Sequence, residues 1–338
     1  MGTQDLFLRR MHSWPARQKE AEREQTARYG PRYALYRQQY ELAGRFEYEP
    51  PFPLYLMLEQ TYSCNLRCPM CIQGLPVERA NFTPTERQMS WELFQRVVLE
   101  GEQHGCPSIA LHVNDEPLLV EDLPERIALA KEHGFMDVFM TTNGVLFTED
   151  KVRQVVDAGV THILFSVDAA TEETYAKVRI GGDYEKVLNA AEMVRRYRES
   201  RDSALPLVRA SFLQSRLNQH ETSSFVEKFS KLVDYVEIQG FTHYYDKTVD
   251  LVPQGAECAT NFTCNEPWRN LIVRADGTVI PCCAFYGYEI VVGNALSSSL
   301  AELFNSPQLK TLRSDFRQGI YRNPACESCS QSFYEPVL

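Results

Sequence analysis

Leu54-Tyr55-Leu56-Met57-Leu58-Glu59 is an apolar run of strand length, and four residues after it comes Cys64-Asn65-Leu66-Arg67-Cys68-Pro69-Met70-Cys71. The cysteines therefore occupy a loop at the carboxyl end of a predicted strand, where α/β folds gather their ligands. Structural zinc takes four ligands, often as two Cys-x2-Cys pairs. This loop offers three thiols, and neither Cys nor His follows Cys71 within the next twenty residues. Three thiolates on a four-iron cluster leave one iron open to an outside ligand.

Working outward from that strand, short apolar runs alternate with amphipathic stretches, the pattern of βα units and a parallel sheet. Strands are predicted over Leu54–Glu59, Ser108–Val113, Asp137–Thr141, His162–Val167, Leu207–Leu213 and Tyr235–Gln239. Helices are predicted over Trp91–Gln103, Leu123–His133, Glu149–Ala158, Tyr184–Glu199 and Glu221–Leu232. Six repeats are too few for a closed eight-stranded barrel, so the periodicity leaves a partial (β/α)6 barrel or a doubly wound sheet. Residues 14–45 carry helix formers around Gly30-Pro31, which predicts two short helices packed outside the main domain. After Phe241 the composition turns to Asp, Asn, Thr, Tyr and Cys, placing a boundary near 242 and giving three units: 1–50, 51–241 and 242–338. In the last of these, Leu271–Arg274 and Thr278–Ile280 flank Asp276-Gly277, a hairpin signal, and Leu300–Arg317 reads as one amphipathic helix.

Composition narrows the function class. Hydrophobic residues make up 44% and charged residues 24% of the 338, and no apolar stretch reaches the roughly 18 residues of a membrane span. The first forty residues lack the pattern of a secretory signal, so a cytoplasmic location is expected. The net charge of -10 disfavours a nucleic-acid partner. In that compartment ten cysteines are expected as metal ligands or reactive groups rather than disulfides. Three cluster at 64, 68 and 71, Cys106 stands alone, and Cys258, Cys264, Cys282, Cys283, Cys326 and Cys329 fall in the last quarter, so two thiolate sites are expected.

At Cys64-x3-Cys68-x2-Cys71 the chain resembles the radical S-adenosylmethionine (SAM) superfamily, whose members hold a [4Fe-4S] cluster on this loop with SAM chelating the fourth iron. The resemblance extends along the chain in family order. Asn114-Asp115-Glu116-Pro117 is similar to the turn that meets the SAM amine, although both family glycines are replaced. Asn143 in Thr141-Thr142-Asn143-Gly144, Ser166 and Asp168 are similar to segments at the ribose and the methionyl carboxylate, and Arg179 to the arginine that pairs with that carboxylate. Asn218 and Glu221 resemble a further family segment. Taken singly, each is also an ordinary strand-end turn or cap.

Cys264, Cys282, Cys326 and Cys329 resemble the SPASM/twitch auxiliary domain, as does the Gly293-Asn294 to Ser306 link. With no cysteine after Cys329, one auxiliary [4Fe-4S] cluster is implied, and a zinc site is the alternative. Cys258 competes for a place in that set, or serves as a hydrogen-atom donor. Cys283 would point away from the metal of Cys282 if the segment is extended, and Cys106 suits a small core residue. The implied chain is an α/β partial barrel with an N-terminal helical extension and a small C-terminal iron-sulfur domain, similar in plan to radical SAM dehydrogenases and epimerases of natural-product pathways.

The implied cofactors are SAM and two [4Fe-4S] clusters, reduced by an external donor such as flavodoxin or ferredoxin. The implied reaction abstracts a substrate hydrogen and then either oxidises an alcohol to a ketone or inverts the centre with a thiol. A small polar substrate, a sugar or aminocyclitol, is preferred to a peptide. His112, Arg209, Gln214, Glu237, Gln239, His243 and Tyr245 are the candidate pocket residues, and no base is singled out. A non-enzymatic iron-sulfur or zinc protein would explain the cysteines without the SAM-like turns.

Overall fold

The N-terminal segment forms strand β1 (Arg9–Ser13) and helices α1 (Pro15–Tyr29) and α2 (Pro31–Gly44). The central region runs β2 (Tyr55–Leu58), α3 (Pro76–Asn81), α4 (Trp91–Gln103), β3 (Ser108–Ala110), α5 (Leu123–Glu132), β4 (Asp137–Thr142), α6 (Glu149–Asp157) and β5 (His162–Ser166). It continues through α7 (Glu172–Val178), α8 (Tyr184–Ser200), β6 (Leu207–Leu213), α9 (Thr222–Phe229), β7 (Tyr235–Gln239) and β8 (Phe241–Thr242). The last part holds α10 (Glu266–Arg269), β9 (Asn270–Val273), β10 (Thr278–Ile280), β11 (Gly293–Asn294), α11 (Leu300–Phe304), α12 (Pro307–Arg317), α13 (Pro324–Ser330) and β12 (Phe333–Tyr334). This computed structural model describes residues 9–13, 15–243 and 250–337. Among them, no helix is long and apolar enough to cross a membrane.

Strand order decides between the two architectures the periodicity left open. One ten-stranded sheet runs β1-β7-β6-β5-β4-β3-β2-β9-β10-β11, with β2 to β7 parallel and in consecutive order. A doubly wound sheet reverses order at a switch point, and this one does not. The six strands are those of a partial barrel, and its two edges take other partners: β1 lies antiparallel on β7, and β9 lies parallel on β2.

Alternation along the strands separates a dry side from a polar lumen. Leu56, Leu58, Ile109, Val138, Met140, Ile163, Phe165, Val208, Ala210, Phe212, Val236 and Ile238 are fully buried, in the cluster shared with the helices. Tyr55, Ser108, Asp137, Thr141, His162, Ser166, Arg209 and Ser211, from the opposite parity, line an internal chamber. The helices are amphipathic for the same purpose. In α4, Ser90 caps the first turn by accepting from the Leu93 amide, and Leu93, Phe94, Val97 and Val98 are buried on one face.

Three expectations change. The helix pair breaks at Gly30-Pro31 as read, but it does not stay outside the main domain. Gln25 of α1 donates to Asp137 Oδ1 at 2.8 Å, and Tyr36, Arg37 and Tyr40 of α2 line the chamber at the amino end of the strands. The run Leu300–Arg317 is two helices, because Ser306 caps a new one by accepting from Leu309 N and Pro307 has no amide to continue the old. The β9–β10 hairpin forms with Gly277 at φ +82°, but its first strand also joins the barrel beside β2, a tertiary pairing invisible to local pattern.

Candidate active site

The loop after β2 presents Cys64, Cys68 and Cys71 to a cavity of about 230 Å3 that is also lined by Gln73, Asn114, Asp115, Glu116, Thr142, Asn143, Ser166 and Arg179. Backbone contacts keep the loop tight: Cys71 N donates to Cys68 O at 3.0 Å and Gly74 N to Cys71 O at 2.8 Å. Burial raises all three thiols, Cys64 to about 11 and Cys71 to about 12, so positive charge at the cavity would be needed to hold them as thiolates. Among the described residues no three Cys, His, Asp or Glu side chains crowd onto one point as around a single ion. The thiols ring the cavity instead, an arrangement that suits separate irons of one cluster.

The turns predicted to contact SAM surround this cavity, though several of their side chains are already engaged. Asp115 accepts from Val113 N at 2.6 Å, Gln60 N at 3.1 Å and Thr61 N at 3.2 Å, which fixes the start of the cysteine loop. Glu116 accepts from Thr142 Oγ1 at 2.6 Å, Asn143 N at 2.8 Å and Leu118 N at 3.2 Å, and burial still lifts its carboxyl to about 7. Asn143 Nδ2 donates to Asn65 Oδ1 at 2.8 Å, tying the end of β4 to the cysteine loop. Asn114 Nδ2 donates to Cys283 O at 3.2 Å and Tyr288 Oη at 3.1 Å.

Arg179, expected opposite a ligand carboxylate, forms an ion pair with Asp168 and places Nη1 3.6 Å from Cys68 Sγ. A buried guanidinium needs such partners, so a ligand carboxylate would share it. Asp168 takes the left-handed backbone, φ +61°, a conformation that costs a non-glycine residue about 1 kcal/mol or more. It is held there by Asn218 Nδ2 on its carbonyl at 2.8 Å and by Leu213 N on its carboxylate at 2.7 Å. Glu221 accepts from Ala170 N at 2.6 Å and Thr174 Oγ1 at 2.8 Å, so Asn218 and Glu221 hold the loop after β5 rather than face the cavity.

Next to the thiol cavity lies a larger chamber of about 480 Å3, the barrel lumen; His112, Thr141, Ser166, Arg179 and Gln239 line both. Of the predicted pocket residues, His112, Arg209 and Gln239 line the chamber, and Glu237 sits against it, pairing with Arg209 at 2.9 Å and accepting from Gln239 Nε2 at 2.7 Å. Burial lowers His112 to about 3, so its imidazole is neutral, with Nδ1 accepting from Thr141 N at 3.0 Å. Gln214 instead pins Val337, donating to its carbonyl at 2.7 Å and accepting from its amide at 2.6 Å. His243 pairs through its backbone with Ser332, and Tyr245 lies outside the described residues.

In the last quarter, Cys264, Cys282, Cys326 and Cys329 line one small pocket with Phe262, Pro267, Ile290, Leu312 and Phe316. Burial raises Cys326 and Cys329 to about 12. The fit to a compact group is local: a Cβ on Gly287 would come 2.3 Å from Cys282 O and 2.6 Å from its Sγ. Four thiols, Cys264 buried and the other three half-buried, in an apolar pocket suit a closed four-thiolate cluster.

Cys258 is elsewhere, bridged to Tyr334 with its thiol donating to Gln331 O at 3.4 Å, and it lines none of these cavities. Cys283 lines the chamber rather than the pocket of Cys282. Sequence reasoning turned Cys283 away from the metal but not toward the chamber, and it missed Tyr55, Ser211, Tyr36 and Arg37. The period-2 alternation of β2 and β6 could have flagged the first two; the α2 residues carry no such signal.

Residues 58–202 match the Radical SAM superfamily, and residues 264–330 match SPASM, an iron-sulfur cluster-binding domain. The chain is 32% identical over 136 residues to GTP 3′,8-cyclase of Limosilactobacillus fermentum, a match spanning 40% of each protein. It is 24% identical over 322 residues to the tungsten-containing aldehyde ferredoxin oxidoreductase cofactor-modifying protein of Pyrococcus furiosus, covering 82% of this chain and 87% of the relative. The crystal structure of BtrN in complex with AdoMet and 2-DOIA has the same fold, with a TM-score of 0.51 at 15% identity over 78% of this chain and 87% of that one.

Proposed function

Since this chain belongs to the radical SAM superfamily and carries a SPASM-type iron-sulfur domain, we propose that it oxidises an alcohol carbon of a polar small molecule of the sugar or aminocyclitol kind. Cys64, Cys68 and Cys71 would hold the SAM-binding [4Fe-4S] cluster, and Cys264, Cys282, Cys326 and Cys329 one auxiliary [4Fe-4S] cluster. When bound, these groups supply a hydrogen-abstracting 5′-deoxyadenosyl radical and an acceptor for the second electron. The chain's own residues do the rest. Asn114, Asp115, Glu116, Asn143, Ser166, Asp168 and Arg179 shape the SAM side of the cavity, and Arg179 places a positive charge beside Cys68. The lumen orients the substrate through Arg209, Gln239 and neutral His112.

The observation that carries this reading is the continuity of the thiol cavity with a chamber of about 480 Å3 walled by side chains of mixed polarity. That volume is in the range of small-molecule sites. Residues 1–50, 51–241 and 242–338 then act as chamber floor, SAM barrel and auxiliary unit, with a flavodoxin- or ferredoxin-type donor as electron source.

Anaerobic reconstitution tests the reading: about eight irons per chain, dithionite-dependent release of 5′-deoxyadenosine, and a product lighter by two hydrogens from a panel of sugars and aminocyclitols. Zinc as the bound metal, with no SAM cleavage, overturns it. A second reading, epimerisation, is favoured by the Cys283 thiol on the chamber wall. It predicts an isomeric product with one deuterium taken from heavy water, lost in Cys283→Ala and kept in Cys258→Ala.

A further inference from the structure

The floor of the chamber is built by helix α2, outside both matched regions, and there one cation stands apart from the others. Four arginines line the chamber. Arg179 is paired with Asp168, Arg209 with Glu237 at 2.9 Å, and Arg269 with Glu266 at 3.7 Å. The Arg37 side chain, among the described residues, makes neither a hydrogen bond nor an ion pair. Its guanidinium lies over the rings of Tyr36 and Tyr40, 5.4 and 5.3 Å from their centroids.

Ring faces hold a guanidinium in place but accept none of its five N–H donors. The nearest carboxylate in the floor, Asp137, lies beyond ion-pair reach of Arg37 and accepts from Gln25 Nε2. Glu22, Tyr33, Tyr235 and neutral His162 also face this end, with Arg209 and Asp234 within electrostatic reach of His162. At the other end of the chamber, level with Ser166, the hydroxyl of Ser211, 5% exposed, has no hydrogen-bond partner among the described residues. An oriented, fixed fork of donors in an interior chamber matches a carboxylate or phosphate bidentately.

We infer that Arg37 is the anchor for an anionic group of the substrate, a phosphate or a carboxylate, at the end remote from the SAM cavity. Asp137 and Thr141 of β4 both line the chamber, and Thr141 also lines the thiol cavity, so the two ends are about 13 Å apart along the strand. A molecule that reaches both is longer than a bare hexose, and a sugar extended by a phosphate or by a carboxylate-bearing arm fits. The inference rests on the chamber being the substrate site.

Its test needs no turnover. Titrate the reconstituted full-length holoenzyme with inorganic phosphate, gluconate or glucose, against sodium chloride at matched ionic strength, by calorimetry. Saturable binding of phosphate or gluconate, absent for glucose and chloride, is expected, and which of the two binds tells phosphate from carboxylate recognition. Arg37→Gln should lose about tenfold or more in affinity at unchanged iron content, the scale of one bidentate charged contact. Arg37→Lys should keep more affinity for phosphate than for gluconate. Independently of any variant, the bound anion should protect Arg37 of the wild type from phenylglyoxal, mapped by mass spectrometry. Equal affinity in Arg37→Gln, absence of saturable anion binding, or no protection overturns the inference. Release of 5′-deoxyadenosine is read separately, so either proposal can fall without the other.

Discussion

Glu116 illustrates how the site works residue by residue. Its carboxyl receives three hydrogen bonds yet is lifted to about 7, because its burial outweighs them. A carboxyl raised in the folded state takes up a proton on folding between its ordinary value near 4.5 and about 7. Its contribution to stability is therefore full below that window and is lost as pH rises through it. Glu116→Gln should flatten this part of the pH dependence, read as urea midpoints of the cluster-free protein at pH 5 and pH 8. Because an amide cannot accept at both positions, the variant should also cost about 1–3 kcal/mol at the low-pH end, from one unsatisfied donor. An unchanged slope would place the titrating group elsewhere.

At the scale of elements, each site sits where a short segment is forced close to another. The turn after Ala284 brings Gly287 against Cys282, with no room for a side chain at the distances given above. Gly287→Ala must displace Cys282, so iron should fall from about eight to about four per chain while the first cluster, and SAM cleavage, survive. Full iron content in this variant would remove Cys282 from the auxiliary set. The fold of these elements was largely legible: β6 and β7 carry their predicted bounds, since long alternating runs leave one solution. The helix over 300–317 was misread because its apolar spacing continues across Ser306-Pro307, although the break residues are in plain view. Cys283 does turn away from the pocket of Cys282, as read, but that it meets the chamber depends on the distant barrel strands beside it.

At the scale of the whole molecule, the last quarter is joined to the barrel through a buried polar knot. Glu59, directly after β2, accepts from Tyr288 Oη at 3.2 Å and Ala275 N at 3.3 Å and faces Arg274 at 3.4 Å; Arg274 Nη2 in turn donates to Phe82 O at 2.6 Å. Both charges are buried, Glu59 fully. Arg274→Met should cost about 3–5 kcal/mol by stranding Glu59, and adding Glu59→Gln should recover part of that loss. Urea unfolding of the three variants checks the coupling, and simple additivity would mean the knot does not act as a unit.

The cysteine spacing, the loops at 64–71 and after β3, β4 and β5, and the six parallel strands were legible in the chain alone, because each is written in spacing and periodicity over a few neighbouring residues. Only the packed structure shows which strands adjoin, that α2 lines the barrel floor, that Cys283 rather than Cys258 reaches the lumen, and that the Arg37 side chain makes no ion pair among the described residues. These depend on which distant side chains end in the same enclosed volume. Burial and pairing there are set by the whole packed chain, and no local pattern records them.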